Sequence, residues 1–412
     1  MSRALLLAVF VVSLACASSR AENWPRFRGG DGTGVSSQKG IPTTWSEGSY
    51  SWNIEIPGEG HAAPVIWDDF VFATSAEDQG GLRRLICVDA KTGATKWQRT
   101  IAMNQCHKHN KSSWASSTPV TDGKLVFVAF ADQEKLLANA YDFAGNLVWR
   151  RDLGDFESQH NYGASLMLFE DMLIVPNEQD GPSSMIALEK STGTTRWRTL
   201  CGIKTVSYVT PTIVPDAKQQ PQLICVSQVM GIMSLNPHNG QMNWASGAFP
   251  LRTVASPVFA DGLLIASCGQ GGRYGVSQIA VDASGSVDAD GKPKLVWERK
   301  KLIPYVPTPI AYQGHLYEWN DDGVVCCVNM KTGEDVWTKR IGGNFSGSPL
   351  CIDGKIYCIS EKGDVVVVKA SPEKFEELGT TSLGDGSHST PAVANGRLYL
   401  RTFNRLMCLP AR

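Results

Sequence analysis

From about residue 64 to the C-terminus, short apolar runs alternate with turn signals, and the runs are too short to be helices. One unit repeats. It opens with a small residue and a proline, then a short apolar strand, a tight turn and a second strand. The tight turns fall at Asp68-Asp69, Asp122-Gly123, Asp261-Gly262, Gln313-Gly314, Asp353-Gly354 and Asn395-Gly396. Dipeptides of this kind between apolar runs predict β-hairpins, because the turn demands positive φ. A third apolar run follows ("LICVD", "MIALE", "VCCVN"). A glycine turn then leads to a tryptophan four residues on: Gly93 to Trp97, Gly145 to Trp149, Gly193 to Trp197, Gly240 to Trp244, Gly333 to Trp337. A repeat of about 40 to 50 residues marks a propeller or a solenoid. Four antiparallel strands per repeat make one propeller blade.

With the opening proline as register, units begin at Pro64, Pro119, Ser165 (in place of proline), Pro211, Pro257, Pro309, Pro349 and Pro391. The expected fold is therefore an all-β, eight-bladed β-propeller of four-stranded antiparallel blades. The fifth unit carries an insertion, "DASGSVDADGKPKLVW", which delays Trp297, and the seventh has "KFEELG" where a tryptophan strand is due. The eighth stops at Leu409 after its third strand. The segment "SYSWNIEIPG" places Trp52 where that missing strand needs it, so the N-terminal strand should close the ring and remove its open edges. Trp52, Trp97, Trp149, Trp197, Trp244, Trp297 and Trp337 are expected to pack between blades as structural residues.

Composition narrows the class. The 412 residues include 40 glycines and 21 prolines with 42% hydrophobic content, which describes a turn-rich globular chain. A formal net charge of −1 gives no electrostatic pull toward nucleic acid. Residues 1–21 read as a secretory signal peptide: Arg3, an apolar stretch from Ala4 to Ala15, then Ser19 and Ala21 before the cut. Residues 22–412 then form a single propeller domain, exported to the periplasm or the exterior, with no transmembrane segment. Cys16 after Ser13-Leu14-Ala15 offers the alternative of a lipid anchor. Of the 11 cysteines, Cys87, Cys327 and Cys408 occupy one slot of three repeats, and Cys225, Cys268 and Cys358 lie in strand-like runs, so mostly free thiols are expected.

In its apolar run, Asp, Thr-Gly and Trp, most plainly in "CVDAKTGATKW" and "CVNMKTGEDVW", the repeat resembles that of the pyrroloquinoline-quinone (PQQ)-type propellers. The resemblance covers nearly all of the mature chain. That family includes quinoprotein dehydrogenases and the cofactor-free outer-membrane assembly lipoprotein BamB. The "NWPRFRGGDGTGVS" and "GHAAPV" stretches look most like secreted PQQ-like propellers of planctomycete bacteria. A PQQ enzyme of this family implies Ca²⁺ held by oxygen ligands, a catalytic Asp and a disulfide between adjacent cysteines on the quinone. Cys326-Cys327 are adjacent, but they lie inside the third strand of blade six, with Cys327 in the core slot. There is no Cys-x-x-Cys-His for a c-type haem.

Function in a propeller concentrates in the central funnel, on the loops leading into the first strands. Counting three and five residues back from each register position projects a polar ring: Glu59, His61, Trp114, His160, Tyr162, Tyr208, Arg252, Asn344 and His388. His61 and His388 become neighbours on closure. The loop "AMNQCHKHNKSSW" offers Cys106, His107 and His109 as a weak metal set. "GQGGRYG" lacks the spacing and the following helix of a dinucleotide site. The sequence therefore points to an exported binding or scaffold propeller without a cofactor. Its partner would be an envelope protein, a peptide or a glycan. A quinoprotein-like oxidoreductase with PQQ and Ca²⁺, or a BamB-like assembly component, are the alternatives.

Overall fold

The computed structural model describes residues 22–412 apart from 204 and 271, so the leader and Cys16 lie outside the described residues. Eight antiparallel sheets form the ring. Blade one comprises Val65–Trp67, Phe70–Glu77, Leu82–Asp89 and Thr95–Ala102, innermost strand first. The next six blades start at Val120–Thr121, Met167–Phe169, Thr212–Pro215, Val258–Ala260, Ile310–Tyr312 and Leu350–Ile352. Blade eight takes Ala392–Ala394, Arg397–Arg401 and Arg405–Pro410 from the C-terminus and Trp52–Glu55 from the N-terminus, with Trp52 opposite Cys408. The expected closure is what the structure shows. Blade seven gains a fifth strand, Val35–Ser36, parallel to its innermost one.

Both faces of each middle strand are covered by neighbouring blades, which is why "LICVD" and its counterparts are continuously apolar. Outer strands such as Thr95–Ala102 are mostly exposed. The core is accordingly a set of clusters between blades. The ten described cysteines are free thiols, and all but Cys106 are buried. Cys326 and Cys327 face opposite ways, into two different interblade clusters.

The glycine-to-tryptophan signature has a mechanical meaning. Each glycine receives the indole of the preceding blade. A Cβ on Gly93 would sit 2.8 Å from Trp52, and on Gly145, Gly193, Gly240 and Gly333 at 2.8, 2.7, 2.5 and 2.8 Å from Trp97, Trp149, Trp197 and Trp297. The indole N–H then donates to a backbone carbonyl of that same turn: Trp52 to Ala90 at 3.0 Å, Trp97 to Phe143 at 2.8 Å, Trp149 to Lys190 at 2.7 Å. At the head of the turn, Asp89 Oδ1 accepts the N–H groups of Lys91 and Thr92, and Asn329 does the same for Lys331 and Thr332. Where the insertion of blade five removes the turn, Trp244 donates to Gln222 Oε1 instead, at 3.0 Å.

Candidate functional site

A second ring of contacts runs around the central channel. The residue before each register position donates its backbone N–H to a hydroxyl of the next blade: Ala63 to Thr118, Thr118 to Ser165, Ser165 to Thr210, Thr210 to Ser256, Ser256 to Thr308, Thr308 to Ser348 and Ser348 to Thr390, all at 2.9–3.3 Å. This belt explains the small residue that opens each repeat. It also corrects the register of blade three. Ser165 is a belt member, equivalent to Thr118, so Leu166 and not Ser165 stands in the proline position.

That one-residue slip turns a side chain to the other face. Tyr162, projected into the funnel, is buried in an interblade core, with its hydroxyl donating to Pro176 O at 2.9 Å. Gly163 lines the channel in its place. His160 still reaches the funnel, just before Asn161 at φ +66°.

Two other projected residues stand elsewhere. Glu59 pairs through its backbone with Ala76, beside the end of the second strand of blade one. With Trp114 it lines a separate depression on the rim. Lys108 bridges this pair, 3.2 Å from Glu59 and 4.8 Å above the Trp114 ring. The remaining six, His61, His160, Tyr208, Arg252, Asn344 and His388, converge on one cavity of about 1330 Å³.

The cavity has one open end. Its floor is the segment after Glu22, which crosses the channel. Trp24 pairs with Ile66 of blade one, and Pro25 O accepts from Thr121 of blade two. Phe27 faces the cavity. On the opposite side the buried Arg28 guanidinium donates to the carbonyls of Thr308 at 2.8 Å and Pro309 at 2.7 Å in blade six, and to Thr33 O at 2.6 Å. Val35 and Ser36 then join blade seven.

Imidazoles line one wall in two tilted pairs, His61–His388 with centroids 4.5 Å apart and His109–His160 at 4.4 Å. Burial, then the nearby His388 and Arg401, hold His61 well below the usual histidine range. Burial, then Arg252, brings His160 down to about 4. Burial lowers His388 as well. His61, His160 and His388 are therefore uncharged near neutral pH. From the loop above it, Lys111 Nζ reaches Glu361 of blade seven at 3.2 Å, spanning blade eight.

The loop histidines and cysteine do not converge. Cys106 Sγ accepts from Asn161 at 3.1 Å, His107 is exposed, and His109 packs at a tilt against His160. Among the described residues no group of three His, Cys, Asp or Glu side chains is placed to hold a metal.

Residues just after each second strand also reach the funnel, and the projection missed them. Gln228 and Asn320 stand directly after such strands, Gln270 ends another, and Asp321 and Asp322 follow Asn320. Antiparallel pairing was the available signal: the end of strand two lies beside the start of strand one. Asp321 accepts from Tyr305 N at 2.8 Å, and burial raises it to about 6. The funnel thus does contain aspartates, contrary to the projection.

Ring, belt and floor together define an eight-bladed propeller that presents loops of many blades to a single one-ended pocket. The family model described as "Outer membrane protein assembly factor BamB" matches residues 27–140, 83–339, 283–374 and 321–409, and the chain belongs to this family. It is 22% identical over 322 residues to the outer membrane protein assembly factor BamB of Yersinia pestis, covering 72% of this chain and 73% of that one. With the Alteromonas naphthalenivorans protein of the same name it shares 21% over 286 residues, 65% of this chain and 64% of that one. Among solved structures, BamB from Moraxella catarrhalis aligns with TM-score 0.61 and 16% identity, over 88% of this chain and 99% of the other. The quinohemoprotein alcohol dehydrogenase from Comamonas testosteroni aligns with TM-score 0.67 and 12% identity, over 95% and 80%. These structural likenesses establish the fold.

Proposed function

We propose that the chain is an exported binding or scaffold propeller that holds part of a partner in its one-ended funnel. The partner is an envelope protein, a peptide or a glycan. Family membership supports a role in envelope assembly. The observation that carries the reading is the floor: a ring sealed by its own N-terminal segment forms a pocket, and a pocket retains what enters it. The paired His61 and His388, uncharged and lining the cavity, are the natural contact.

The funnel residues do not fit a quinone with Ca²⁺. The adjacent cysteines are buried between blades, and Asp321 is committed to the N–H groups of Tyr305 and Val306. Calcium takes about six to eight oxygen ligands. Robust dye reduction after incubation with PQQ and Ca²⁺ would overturn this reading.

The direct test places a photocrosslinking residue at Ser346 on the funnel wall and, as a control, at the exposed Leu200 on an outer strand. In the native host, the funnel position should capture a defined partner, and His61→Ala/His388→Ala should abolish capture. Capture only from Leu200 would reject the funnel as the site.

A further inference from the structure

The segment 103–114 joins blade one to blade two without regular secondary structure. Long links of this kind in a compact domain are commonly lids or binding loops. Its first part is pinned. Met103 N donates to Gly81 O at 3.0 Å, Cys106 N to Gln79 O at 3.1 Å and Asn104 N to Asp132 Oδ2 at 3.0 Å. The Asn104 and Gln105 side chains reach Glu134 and Asp78. Its end is pinned as well, where Ser113 Oγ and Ala115 O both accept from His61 N. Residues 107–112 between these points are held differently. Among the described residues, the single backbone-to-backbone hydrogen bond of this stretch is internal, Ser112 N to His109 O at 2.9 Å.

Side chains fasten it to four blades. Lys108 is 3.2 Å from Glu59 at the entry to blade one, and Lys111 is 3.2 Å from Glu361 of blade seven. His109 packs against His160 of blade three, and Ser112 Oγ lies 3.2 Å from His160 Nδ1. His388 of blade eight hydrogen-bonds to the Lys111 backbone. The stretch therefore lies along the histidine wall of the funnel. It reads His-Lys-His-Asn-Lys-Ser, with four basic side chains and no carboxylate. The groups that face the wall's imidazoles are mostly cationic too. His160 meets Arg252 and His109 against Asp180 alone. His61 meets His388, Arg401 and Lys108. His388 meets Lys111 and Lys108 against Glu361.

We propose that residues 107–112 form a strap over the histidine wall, latched at neutral pH and lifted by mild acid. Protons entering the wall set like charges against each other across the strap, with few carboxylates to balance them. Lifting carries Lys108, His109 and Lys111 away and opens the imidazoles to water. Burial, then Arg252, holds His160 at about 4 with the strap down, whereas a solvated imidazole titrates near about 6.5. The latch is therefore whole above about pH 6.5 and weakens as pH falls toward about 4. This device goes beyond the funnel reading and does not depend on the partner's identity.

The test is double electron–electron resonance on the mature chain, with spin labels at Asn110→Cys on the strap and Leu200→Cys on an outer strand. Cys106→Ser removes the one described thiol that is not buried. Acidification from about pH 7.5 to about pH 5 should add a second, displaced distance and raise the open-to-closed ratio about tenfold. The change should reverse on neutralisation and leave the circular dichroism of the blades unaltered. Glu361→Gln should raise the open population already at pH 7.5, and His109→Gln/His160→Gln should suppress the acid response. An unchanged distance distribution, an acid response undiminished in His109→Gln/His160→Gln, or blades that unfold together with the strap overturns the proposal. Each of these outcomes leaves the funnel reading in place, and loss of crosslinking from Ser346 leaves the strap in place.

Discussion

Trp52 is the clasp that closes the ring, and its removal has a calculable cost. The side chain is 7% exposed, lies against Gly93 of blade one and donates to Ala90 O. Burial of an indole removes about 200 Å² from water, worth about 5 kcal/mol at 25 cal/mol/Å². Measured losses for Trp→Ala in cores run about 3–5 kcal/mol, and the abandoned carbonyl of Ala90 adds about 1. Trp52→Ala should therefore destabilise the protein by about 4–6 kcal/mol, a large share of the 5–15 typical of a domain. Trp52→Phe should lose about 1–2 kcal/mol, chiefly the hydrogen bond. Gly93→Ala places a methyl 2.8 Å from the indole at φ +76°, so it suffers both a clash and backbone strain. In the Trp52→Ala background the indole clash is gone and the strain, about 1–2 kcal/mol, remains with a tight 3.0 Å contact to the Cβ of residue 52. Urea unfolding followed by circular dichroism reads all four species. A cost below about 1 kcal/mol for Trp52→Ala, or additivity of the two changes, would refute the clasp.

Glu178 is buried with one carboxylate oxygen unpartnered, and burial raises it to about 7. An acid raised by folding destabilises progressively as pH climbs from its unfolded value to its folded one. Glu178→Gln should thus stabilise by about 2–3 kcal/mol at pH 8 and by little at pH 4.5, measured by denaturation at both; equal effects would contradict it. Arg28→Met strands the carbonyls of Thr308 and Pro309 and should cost more than about 3 kcal/mol, with new proteolytic cleavage near Gly32; unchanged stability would mean the floor is not held by Arg28.

The ring was legible in the sequence because a repeat states the same packing problem many times. Spacing, turn dipeptides and the vacancy filled by Trp52 follow from strand period and edge closure. The Gly–Trp partnership was legible only as a pattern, since the indole crosses to the next blade's glycine and not to its own. The funnel was half legible. His61 and His388 follow from alternation, but Tyr162 was lost to a register that Leu166 conceals. Gln228 and Asn320 come from a hairpin end that the projection did not include. The floor was illegible, because Arg28 satisfies carbonyls about 280 residues away and no local pattern announces such a contact.

The N-terminal segment also fixes a sequence of events. Trp52 pairs with Cys408, and Arg28 meets Pro309 and Pro349, so residues made early in synthesis are among the last to find their places. Contacts of such long separation are the slow ones in folding. Seven blades can stack as they emerge, but pocket and ring are finished together, after the final strand arrives. An interrupted chain would carry most of the blades and still lack the finished pocket.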